Sequence, residues 1–414
     1  MVDIQFIREN ITVVKDAAKH KNVSVDIDSL LQLDERRREL LQDVEKLRKA
    51  RNETAAQMRN GQPSSELIAE GKRIKETLGT LEAELDPIQA QYLQLLNEVP
   101  NLFSEDTPLG GEEDSVVVST WGSTEQRPIK DHLTWLEDRD LVDFERGAKV
   151  AGSKFYYSKG DLARLELALT QFAIQKGVEH GFTPMLVPNM VNGDVIGGTG
   201  YAPRGEEKQI YSIEGEDLHL IATAEIPLTA YHKDEIIELK DLPLLYVGWS
   251  PCYRMEAGAY GKHSKGIFRV HQFYKVEMYV FCVPEQSAEW HEKLMQIEEE
   301  ILQDLDIPYH KLAIAAGDLG APAYKKFDLE YFSPLDGEYR ELTSCSNVTD
   351  YQARRLNIRY RDEQGNVQYV HTLNGTAMVS SRGPIAIIEN HQQADGSVTV
   401  PEVLRPFMGN KDTI

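Results

Sequence analysis

The sequence predicts an α+β protein, in which an N-terminal arm of two antiparallel helices precedes a mainly antiparallel sheet flanked by helices. Heptads in the first quarter of the chain predict the arm, and later segments rich in Val, Ile, Tyr and Phe predict strands. Helical segments interrupt these strands without a regular βαβ alternation. Because 414 residues exceed one ordinary hydrophobic core, we expect an arm domain over 1–100, a linker over 101–123 and a second domain over 124–414.

The arm is predicted from the spacing of its apolar and small residues, which alternates between four and three. Such heptads are typical of helices that wind around a partner helix. A turn is expected at 60–65, where Asn, Gly, Pro and Ser follow one another, so the two helices should be antiparallel. Arg37 and Arg51 interrupt the rhythm of the first helix. The heptad positions are 30, 33, 40, 44, 47 and 58 on that helix and 67, 71, 74, 78, 81, 85, 88, 92 and 95 on the second.

The linker prediction rests on a segment rich in Gly, Ser, Thr and acidic residues. Beyond it, periodicity predicts helices over 161–180, 285–305 and 384–390. Strands are expected over 210–213, 218–222, 245–249, 267–281, 326–331 and 339–344.

Composition excludes several classes of protein. The chain has no apolar run of about 18 residues to span a bilayer and no signal peptide, so we expect a cytoplasmic protein without membrane contact. Its three cysteines form no CxxC pair, and neither a disulfide framework nor structural zinc is expected. A net charge of −22 argues against nucleic-acid binding unless the basic residues are clustered. P-loop and GxGxxG motifs are absent from the sequence.

The most informative segment lies between residues 252 and 277, where charged and apolar residues alternate. Arg254 and Glu256 come first, and Arg269 and Glu277 follow. On neighbouring strands, these arginines could bind phosphate or carboxylate oxygens. The carboxylate two residues after Arg254 would project from the same strand face and accept a hydrogen bond from the same ligand. Spacing alone is equally consistent with a surface ladder of salt bridges.

The same residues resemble motifs of a known family. Arg254-Met-Glu256, and later Thr372-Leu-Asn374-Gly-Thr376 with Arg382, look like motifs 2 and 3 of class II aminoacyl-tRNA synthetases, and 181–191 is similar to motif 1. Thr223-Ala-Glu225, Arg269-Val-His-Gln-Phe273, 341–347 and 407–409 resemble bacterial seryl-tRNA synthetases more narrowly. The motifs occur in order along the whole chain. The resemblance implies a class II synthetase domain that converts serine and ATP to seryl adenylate and transfers the seryl group to tRNA.

The resemblance also implies roles in ATP binding. Arg254 would hold the α-phosphate and the attacking carboxylate, Glu256 would accept from the adenine amino group, and Phe273 would stack on the base. Arg269 and Arg382 would hold the outer phosphates and, with Arg254, are the expected catalytic residues. Glu341 and Ser344 would act through Mg²⁺. The complete expected ATP set is Arg254, Met255, Glu256, Val270, Phe273, Glu341, Leu342, Thr343, Ser344 and Arg382.

Serine selection is expected from a second set, in which Glu277 is the partner of the substrate ammonium and Thr376 and Glu225 address the hydroxyl. Hydrogen bonding to that hydroxyl would reject alanine. His271 lies within a motif, but we interpret it as a structural residue rather than a general base. The expected serine set is Thr223, Ala224, Glu225, Arg254, Glu277, Asn374 and Thr376.

The resemblance further implies that the arm contacts tRNA(Ser), with tRNA(Sec) as a second candidate, and that the protein is a homodimer. Relatives in archaeal methanogens use catalytic zinc, whereas this chain resembles the zinc-free branch. From the residues alone, a solvated charged face is the favoured interpretation of the arm, and only the resemblance favours tRNA binding. The expected tRNA contacts are Lys46, Arg48, Lys49, Arg51, Lys72, Arg73 and Lys75.

The chain departs from the usual bacterial pattern at His263, Lys265, Val348 and Gly383-Pro384. His263 and Lys265 belong to the segment that corresponds to the motif 2 loop. The departures leave the expected phosphate and serine ligands in place, and they bear on contacts with the tRNA acceptor end and on turnover. Two alternatives remain open from the sequence: a paralogue that activates serine for another acceptor or for self-resistance, and a non-catalytic RNA-binding protein with the same fold.

Overall fold

The computed structural model describes residues 1–59, 64–201, 210–256 and 266–414. These residues divide into two compact units, Met1–Leu102 and Phe103–Ile414. The N-terminal unit contains α1 (Ile4–Glu9), α2 (Ile11–His20), α3 (Ile27–Arg59) and α4 (Ser65–Glu98). The helices of the second unit are α5 (His132–Asp138), α6 (Phe144–Ala151), α7 (Gly160–Glu179), α8 (Gly193–Thr199), α9 (Glu225–Ala230), α10 (Ser287–Asp304), α11 (Tyr351–Leu356) and α12 (Arg382–His391).

The two long helices of the N-terminal unit form the predicted heptad seam. Ile74 and Leu78 of α4 and Leu40 and Val44 of α3 are buried along it, and the remaining predicted positions are buried or half-buried. Arg37, which interrupts the heptad, lies with its guanidinium 4.2 Å from the centre of the Tyr92 ring. The hydroxyl of Ser64 caps α4 by accepting from the backbone N–H of residue 67. Most of the turn predicted at 60–65 lies outside the described residues.

The second unit is built on an eight-stranded sheet with the order β1-β10-β11-β12-β15-β9-β8-β4. Neighbouring strands in it are antiparallel except β4 and β8, which are parallel. The strands of the described chain are β1 (Val116–Trp121), β2 (Val142–Asp143), β3 (Tyr157–Ser158), β4 (Thr183–Leu186), β5 (Met190–Val191), β6 (His219–Leu220), β7 (Ile236–Glu238), β8 (Leu244–Tyr253), β9 (Gln272–Cys282), β10 (Tyr309–Ala313), β11 (Lys325–Phe332), β12 (Tyr339–Thr349), β13 (Arg359–Arg361), β14 (Val367–Tyr369) and β15 (His371–Val379).

The main core lies between one face of this sheet and the helices α7, α10 and α12. Strand β9 shows how the two faces differ, because successive side chains point to opposite sides. Val276, Met278 and Val280 join the core, whereas Phe273 and Lys275 line a cavity on the other face. The sheet therefore separates the hydrophobic core on one face from the cavity on the other.

Several sequence predictions differ from the structure at their boundaries. The expected linker over 101–123 includes β1, which is an edge strand of the main sheet. The strand predicted over 267–281 begins only at Gln272, because 266–269 form turns. The strand predicted at 210–213 is reduced to one bridge between Ser212 and His219, and 218–222 to the short β6. Gly and polar residues around 212–217 favour a turn there over an extended ladder.

Candidate active site

A cavity of about 380 Å³ opens on the sheet face opposite α7 and α10. Twelve of the residues expected to bind ATP or serine line it, although they come from widely separated parts of the chain. These are Glu225, Arg254, Glu256, Arg269, Val270, Phe273, Glu341, Leu342, Ser344, Asn374, Thr376 and Arg382.

Arg254 and Glu256 do not occupy one strand face as the spacing suggested. Strand β8 ends at Tyr253, so both residues lie in the segment that follows it. Glu256 has a φ of 46°, which directs the chain away from a regular strand. Its carboxylate faces the guanidinium of Arg269 at 3.7 Å. Two segments, one after β8 and one before β9, thus bring Arg254, Glu256 and Arg269 to the same cavity, and the charge alternation does not reflect a ladder on a sheet.

Aromatic rings accompany two of the arginines in the cavity. The guanidinium of Arg254 lies 5.2 Å from the centre of the Phe273 ring, and that of Arg382 lies 4.8 Å from the Phe268 ring. Such rings attract cations through their π faces and keep the guanidinium planes in place. Met255 is half-buried beside this group and does not line the cavity.

Glu341 and Arg382 form an ion pair in the cavity wall. Arg382 Nη1 lies 3.1 Å from Glu341 Oε1 and also donates to the backbone carbonyl of Glu341 at 3.2 Å. The Arg382 guanidinium holds the pKa of Glu341 well below its usual range. Because Arg382 is the first residue of α12, this pair connects β12 to the start of that helix.

Beside this pair, Asp328 of β11 lies opposite Ser344 of β12 in the strand register. Burial raises the pKa of Asp328 to about 6, and the ammonium of Lys326, 3.6 Å away, acts in the opposite direction. The Oδ1 atom of Asp328 is buried without a hydrogen-bond partner in the described part of the chain. Leu342 lines the cavity as expected, whereas Thr343 is buried and does not.

Glu225, Asn374 and Thr376, three residues of the expected serine set, also line the cavity. Glu225 accepts hydrogen bonds from the Tyr201 hydroxyl at 3.0 Å and from Gln352 Nε2 at 2.8 Å. Burial raises the pKa of Glu225 to about 7, and the nearby charge of Glu277 contributes to the rise. This carboxyl therefore changes charge near neutral pH.

Three residues of the expected serine set lie behind the cavity wall instead of lining it. Thr223 and Ala224 are completely buried, and Ala224 is part of a hydrophobic cluster. Glu277 is 1% exposed and forms an ion pair with Lys275, whose Nζ lies 2.6 Å from Glu277 Oε2. Lys275, not Glu277, lines the cavity at this position.

His271 has the contacts of a structural residue. Its Nδ1 lies 3.0 Å from the carbonyl oxygen of Arg254, and its ring packs 5.2 Å from that of Phe155. It is not among the residues that line the cavity. These contacts hold the segment after β8 against the start of β9.

Sequence reasoning missed further residues of the cavity wall. Lys275 could have been found, because it lies two positions from both Phe273 and Glu277 and therefore on the same strand face. Lys326 and Tyr201 belong to distant segments, and no local pattern connects them to the motifs. Other missed residues are Gly200, Phe268, Ser346, Val379, Ser381 and the loop 319–323. His263 and Lys265, the unusual residues of the motif 2 loop, lie outside the described residues.

The basic residues predicted to bind tRNA are exposed on α3 and α4, the arm helices. Several have acidic neighbours: Arg48 Nη2 lies 2.7 Å from Glu82 Oε1, and Arg73 Nη2 lies 2.7 Å from Glu70 Oε2. The arm surface is therefore a mixed one, on which cations and anions alternate.

Two searches of the described ranges bear on metals and membranes. No group of three or more His, Cys, Asp or Glu side chains in these ranges is arranged to hold a metal ion. Within the same ranges, none of the helices is both long and apolar enough to cross a bilayer.

Comparison with known proteins connects the fold and the cavity to one family. Residues 209–391 match the tRNA synthetase class II core domain (G, H, P, S and T), and residues 1–103 match the seryl-tRNA synthetase N-terminal domain. A serine–tRNA ligase of Dictyoglomus turgidum is 46% identical over 99% of this chain and 98% of its own length. One of Treponema denticola is 45% identical over 99% of both chains.

Solved structures agree with these matches. The crystal structure of seryl-tRNA synthetase from Pyrococcus horikoshii complexed with ATP has a TM-score of 0.90 and 41% identity, covering 100% of this chain and 99% of that one. The cytoplasmic serine–tRNA ligase of Naegleria fowleri in complex with AMP has a TM-score of 0.85 and 31% identity, covering 100% of this chain and 98% of that one. The resemblance seen in the motifs is thus confirmed, and the chain belongs to the serine–tRNA ligase family of class II aminoacyl-tRNA synthetases, enzymes of aminoacyl-tRNA synthesis.

Proposed function

We propose that this protein ligates L-serine to tRNA(Ser) through a seryl-adenylate intermediate, releasing AMP and diphosphate. The observation that carries the proposal is one cavity whose wall contains three arginines, the carboxylates of Glu256 and Glu341, and the hydrogen-bonding residues Glu225, Asn374 and Thr376. ATP use is supported by the solved relative from Pyrococcus horikoshii, which was crystallised with ATP.

In the first step, a carboxylate oxygen of serine attacks the α-phosphorus of ATP, and the bond from that phosphorus to the diphosphate oxygen breaks. Both reactants are anions, so the positive charge of Arg254 between them would lower the cost of bringing them together. Arg269 and Arg382 are the proposed contacts of the outer phosphates. Phe273 is the proposed stacking partner of adenine, Glu256 would accept from its amino group, and Val270 would contact it through the backbone.

In the second step, a ribose hydroxyl at the tRNA 3′ end attacks the carbonyl carbon of the adenylate, and AMP leaves. Neither step requires a nucleophile from the protein, so the chemistry depends on positioning and charge. Glu225, Asn374 and Thr376 are the proposed contacts of the amino acid, because these polar residues line the cavity. A site that hydrogen-bonds the serine hydroxyl would leave these groups unpaired with alanine.

The residues around Glu341 fit a magnesium ion. Glu341 and Ser344 present oxygen ligands to the cavity, and Asp328 Oδ1 is a buried oxygen without a hydrogen-bond partner in the described chain. Mg²⁺ prefers such hard ligands and usually combines one or two of them with substrate phosphates, so a complete protein cage is unnecessary. When bound with ATP, Mg²⁺ would neutralise phosphate charge. Glu341 and Ser344 are the proposed ligands, and Lys326 would balance the charge of Asp328.

We propose that the arm binds the tRNA. RNA helices are recognised largely through shape and backbone, for which exposed lysines and arginines on a long helical arm are suited. The match of residues 1–103 to the seryl-tRNA synthetase N-terminal domain supports this role. Deleting residues 35–97 should spare serine-dependent pyrophosphate exchange and strongly reduce tRNA charging. If charging survived the deletion, the arm would not be the tRNA-binding element.

We also propose a homodimer, formed through the surface around α7 and β4. Large apolar side chains are exposed there: Leu186 is 80% exposed and Leu167 58%. Exposed apolar clusters on a folded protein are typical of interaction surfaces. Light scattering should give twice the chain mass for the protein, and a monomer for Leu167→Glu combined with Leu186→Glu. Leu335→Glu, which changes an exposed leucine elsewhere, is the control and should remain a dimer.

The decisive experiment for the whole proposal is ATP-dependent attachment of labelled serine to purified tRNA(Ser). Stable charging would establish the function, and the same assay with tRNA(Sec) tests the second acceptor. Serine-dependent pyrophosphate exchange without charging of either tRNA would identify a paralogue that activates serine for another acceptor. Absence of both reactions would contradict the proposal.

A further inference from the structure

The ion pair of Lys275 and Glu277 is unusual in its position, because its cation lies at the wall of the substrate cavity. Both residues are on β9, two positions apart on the same strand face. Their side chains are 11% and 1% exposed, and Lys275 Nζ lies 2.6 Å from Glu277 Oε2. Burying a pair of charges is costly unless additional hydrogen bonds accompany it. The expectation from the motifs assigns a role to Glu277 alone and leaves Lys275 unexplained.

Thr223 supplies the additional hydrogen bonds. Lys275 Nζ donates to Thr223 Oγ1 at 3.3 Å, and Thr223 Oγ1 donates to Glu277 Oε2 at 3.4 Å. The backbone N–H of Glu225 also donates to Thr223 Oγ1, at 3.3 Å. One closed group of contacts therefore joins Lys275 and Glu277 to the first residue of α9, whose carboxyl lines the cavity.

We propose that Lys275 is a positioning residue of the serine subsite: its ammonium holds the Glu277 carboxylate and the Thr223 hydroxyl and balances the charge of two neighbouring carboxyl groups, Glu277 and Glu225. The inference rests on the proposed function and deepens it. Two carboxylates in one buried site resist ionising together, and a cation beside them opposes this effect. The substrate ammonium needs at least one charged carboxylate.

The electrostatics of Glu225 agree with this assignment. Burial and the neighbouring charge of Glu277 together raise the pKa of Glu225 to about 7, while the Lys275 ammonium acts in the opposite direction. Removing the Lys275 charge should therefore move the ionisation of Glu225 to higher pH. Below that pH, the carboxyl facing the cavity would be neutral and would bind an ammonium group poorly.

The other ionisable groups around the two carboxyls do not supply the same charge. Burial raises the pKa values of the neighbouring tyrosines, cysteines and Glu298 above their ordinary values, so it disfavours a charge on each of these groups, and none of them is a cation. Within the described residues, Arg254 is another cation near this group of side chains, and the proposed function commits it to the substrate carboxylate and α-phosphate. The groups whose pKa values burial raises are Tyr201, Cys252, Tyr279, Glu298 and Cys345.

The test is serine-dependent pyrophosphate exchange by the full-length protein and its variants at pH 6.5, 7.5 and 8.5. Lys275→Met should raise the serine KM by about ten- to a hundredfold at pH 6.5, as expected for lost hydrogen bonds to charged groups. The ATP KM should change by less than about threefold, since the lost contacts concern the amino acid. The serine defect should shrink as pH rises, and Lys275→Arg should recover most of it.

Lys176 provides a matched control outside the site. Its Nζ lies 2.6 Å from Asp304 Oδ2 and its side chain is 15% exposed, so Lys176→Met removes an equally close ion pair. That variant should keep the wild-type serine KM at every pH. If Lys275→Met failed to fold, Thr223→Val would test the same contacts, and it should also raise the serine KM selectively.

A serine KM within threefold of wild type for Lys275→Met, or for Thr223→Val in its place, would overturn the inference. An equal Lys275→Met defect at all three pH values would also overturn it, because a merely structural loss has no reason to depend on pH. These outcomes differ from failure of the proposed function, in which the wild-type protein itself would show no serine-dependent exchange.

Discussion

The N-terminal arm and the sheet unit use charged residues in opposite ways. On the arm, cations such as Arg48 and Lys72 are exposed and meet acidic neighbours in water. In the sheet unit, Lys275, Glu225 and Asp328 are almost completely buried. Their partners lie on β9, α11 and β11, respectively. Charged side chains therefore interact weakly with one another on the arm and strongly in the sheet unit, because solvent screens exposed charges more than buried ones.

The largest effect is expected in the cavity, from Arg254→Ala. Loss of one positioned cation at a site of developing charge should reduce pyrophosphate exchange by about 10²–10³-fold, while tRNA binding stays nearly unchanged. The measurement is exchange kinetics beside filter binding of tRNA. Arg354→Ala is the control, since Arg354 also lies over an aromatic ring, Tyr369 at 4.7 Å, and has no part in the cavity. Parallel loss of both activities in Arg254→Ala would show that the residue is structural.

A smaller effect is expected in the arm seam, from Leu78→Ala. Leu78 is 3% exposed, so its truncation should cost about 2–3 kcal/mol of local stability through lost burial and a residual cavity. Hydrogen exchange of α3 and α4 in the full chain would measure it, and pyrophosphate exchange should not change. Ile68→Ala, at an exposed position of α4, should alter neither quantity. Reduced pyrophosphate exchange in Leu78→Ala would mean that the two units do not function separately.

Glu298 of α10 allows the free energy cost of burying a carboxyl group in the sheet unit to be measured. Both of its carboxylate oxygens are buried without a hydrogen-bond partner in the described chain. Burial raises the pKa of Glu298 well above its ordinary value of 4.5, so the folded protein retains a proton that the unfolded chain releases. The free energy of unfolding should therefore fall as pH rises above about 4.5.

Glu298→Met should consequently raise stability by about 1–2 kcal/mol at neutral pH, with a smaller gain at pH 5. Denaturant titrations at several pH values would measure this difference. Glu289→Met, which changes an exposed carboxylate of the same helix, should show no such trend. A destabilised Glu298→Met at all pH values would indicate that the carboxyl has a stabilising partner.

The smallest effect on stability is expected for Arg48→Ala. Exposed ion pairs contribute about 0–1 kcal/mol, and Arg48 is 54% exposed in its pair with Glu82. A double-mutant cycle with Glu82→Ala would measure the pair. If Arg48 contacts a tRNA phosphate, the same substitution should reduce the salt dependence of tRNA binding by about one unit. An unchanged salt dependence would exclude Arg48 from the interface.

The arm was predictable because its stability depends on neighbours three and four positions apart. The heptad positions of α4 between Leu67 and Leu95 are buried or half-buried as the spacing predicts. The long helices α7 and α10 were also located within about two residues. Short elements such as β6 and the turn before β9 were not located from the sequence, because tertiary contacts rather than local periodicity determine where they end.

The candidate site was predictable only in part. Its motif residues were identified by resemblance, and twelve of them do line one cavity. Spacing alone suggested that Arg254 and Glu256 share a strand face, which is wrong because β8 ends before them. Lys326 and Tyr201 were missed, because residues far apart in the chain become neighbours only after the sheet has formed.

From its residues alone, the chain specified a heptad arm, an α+β sheet unit and the identity of the family, because these depend on local periodicity and on ordered motifs. The tertiary structure alone determined the different environments and partners of the charged groups. Strand register and the helix packed against the sheet determine which carboxyl lines the cavity and which is paired with Lys275. They also determine which carboxyl is buried without a hydrogen-bond partner in the described chain. Burial and distance set these properties, and both arise only when remote segments come together.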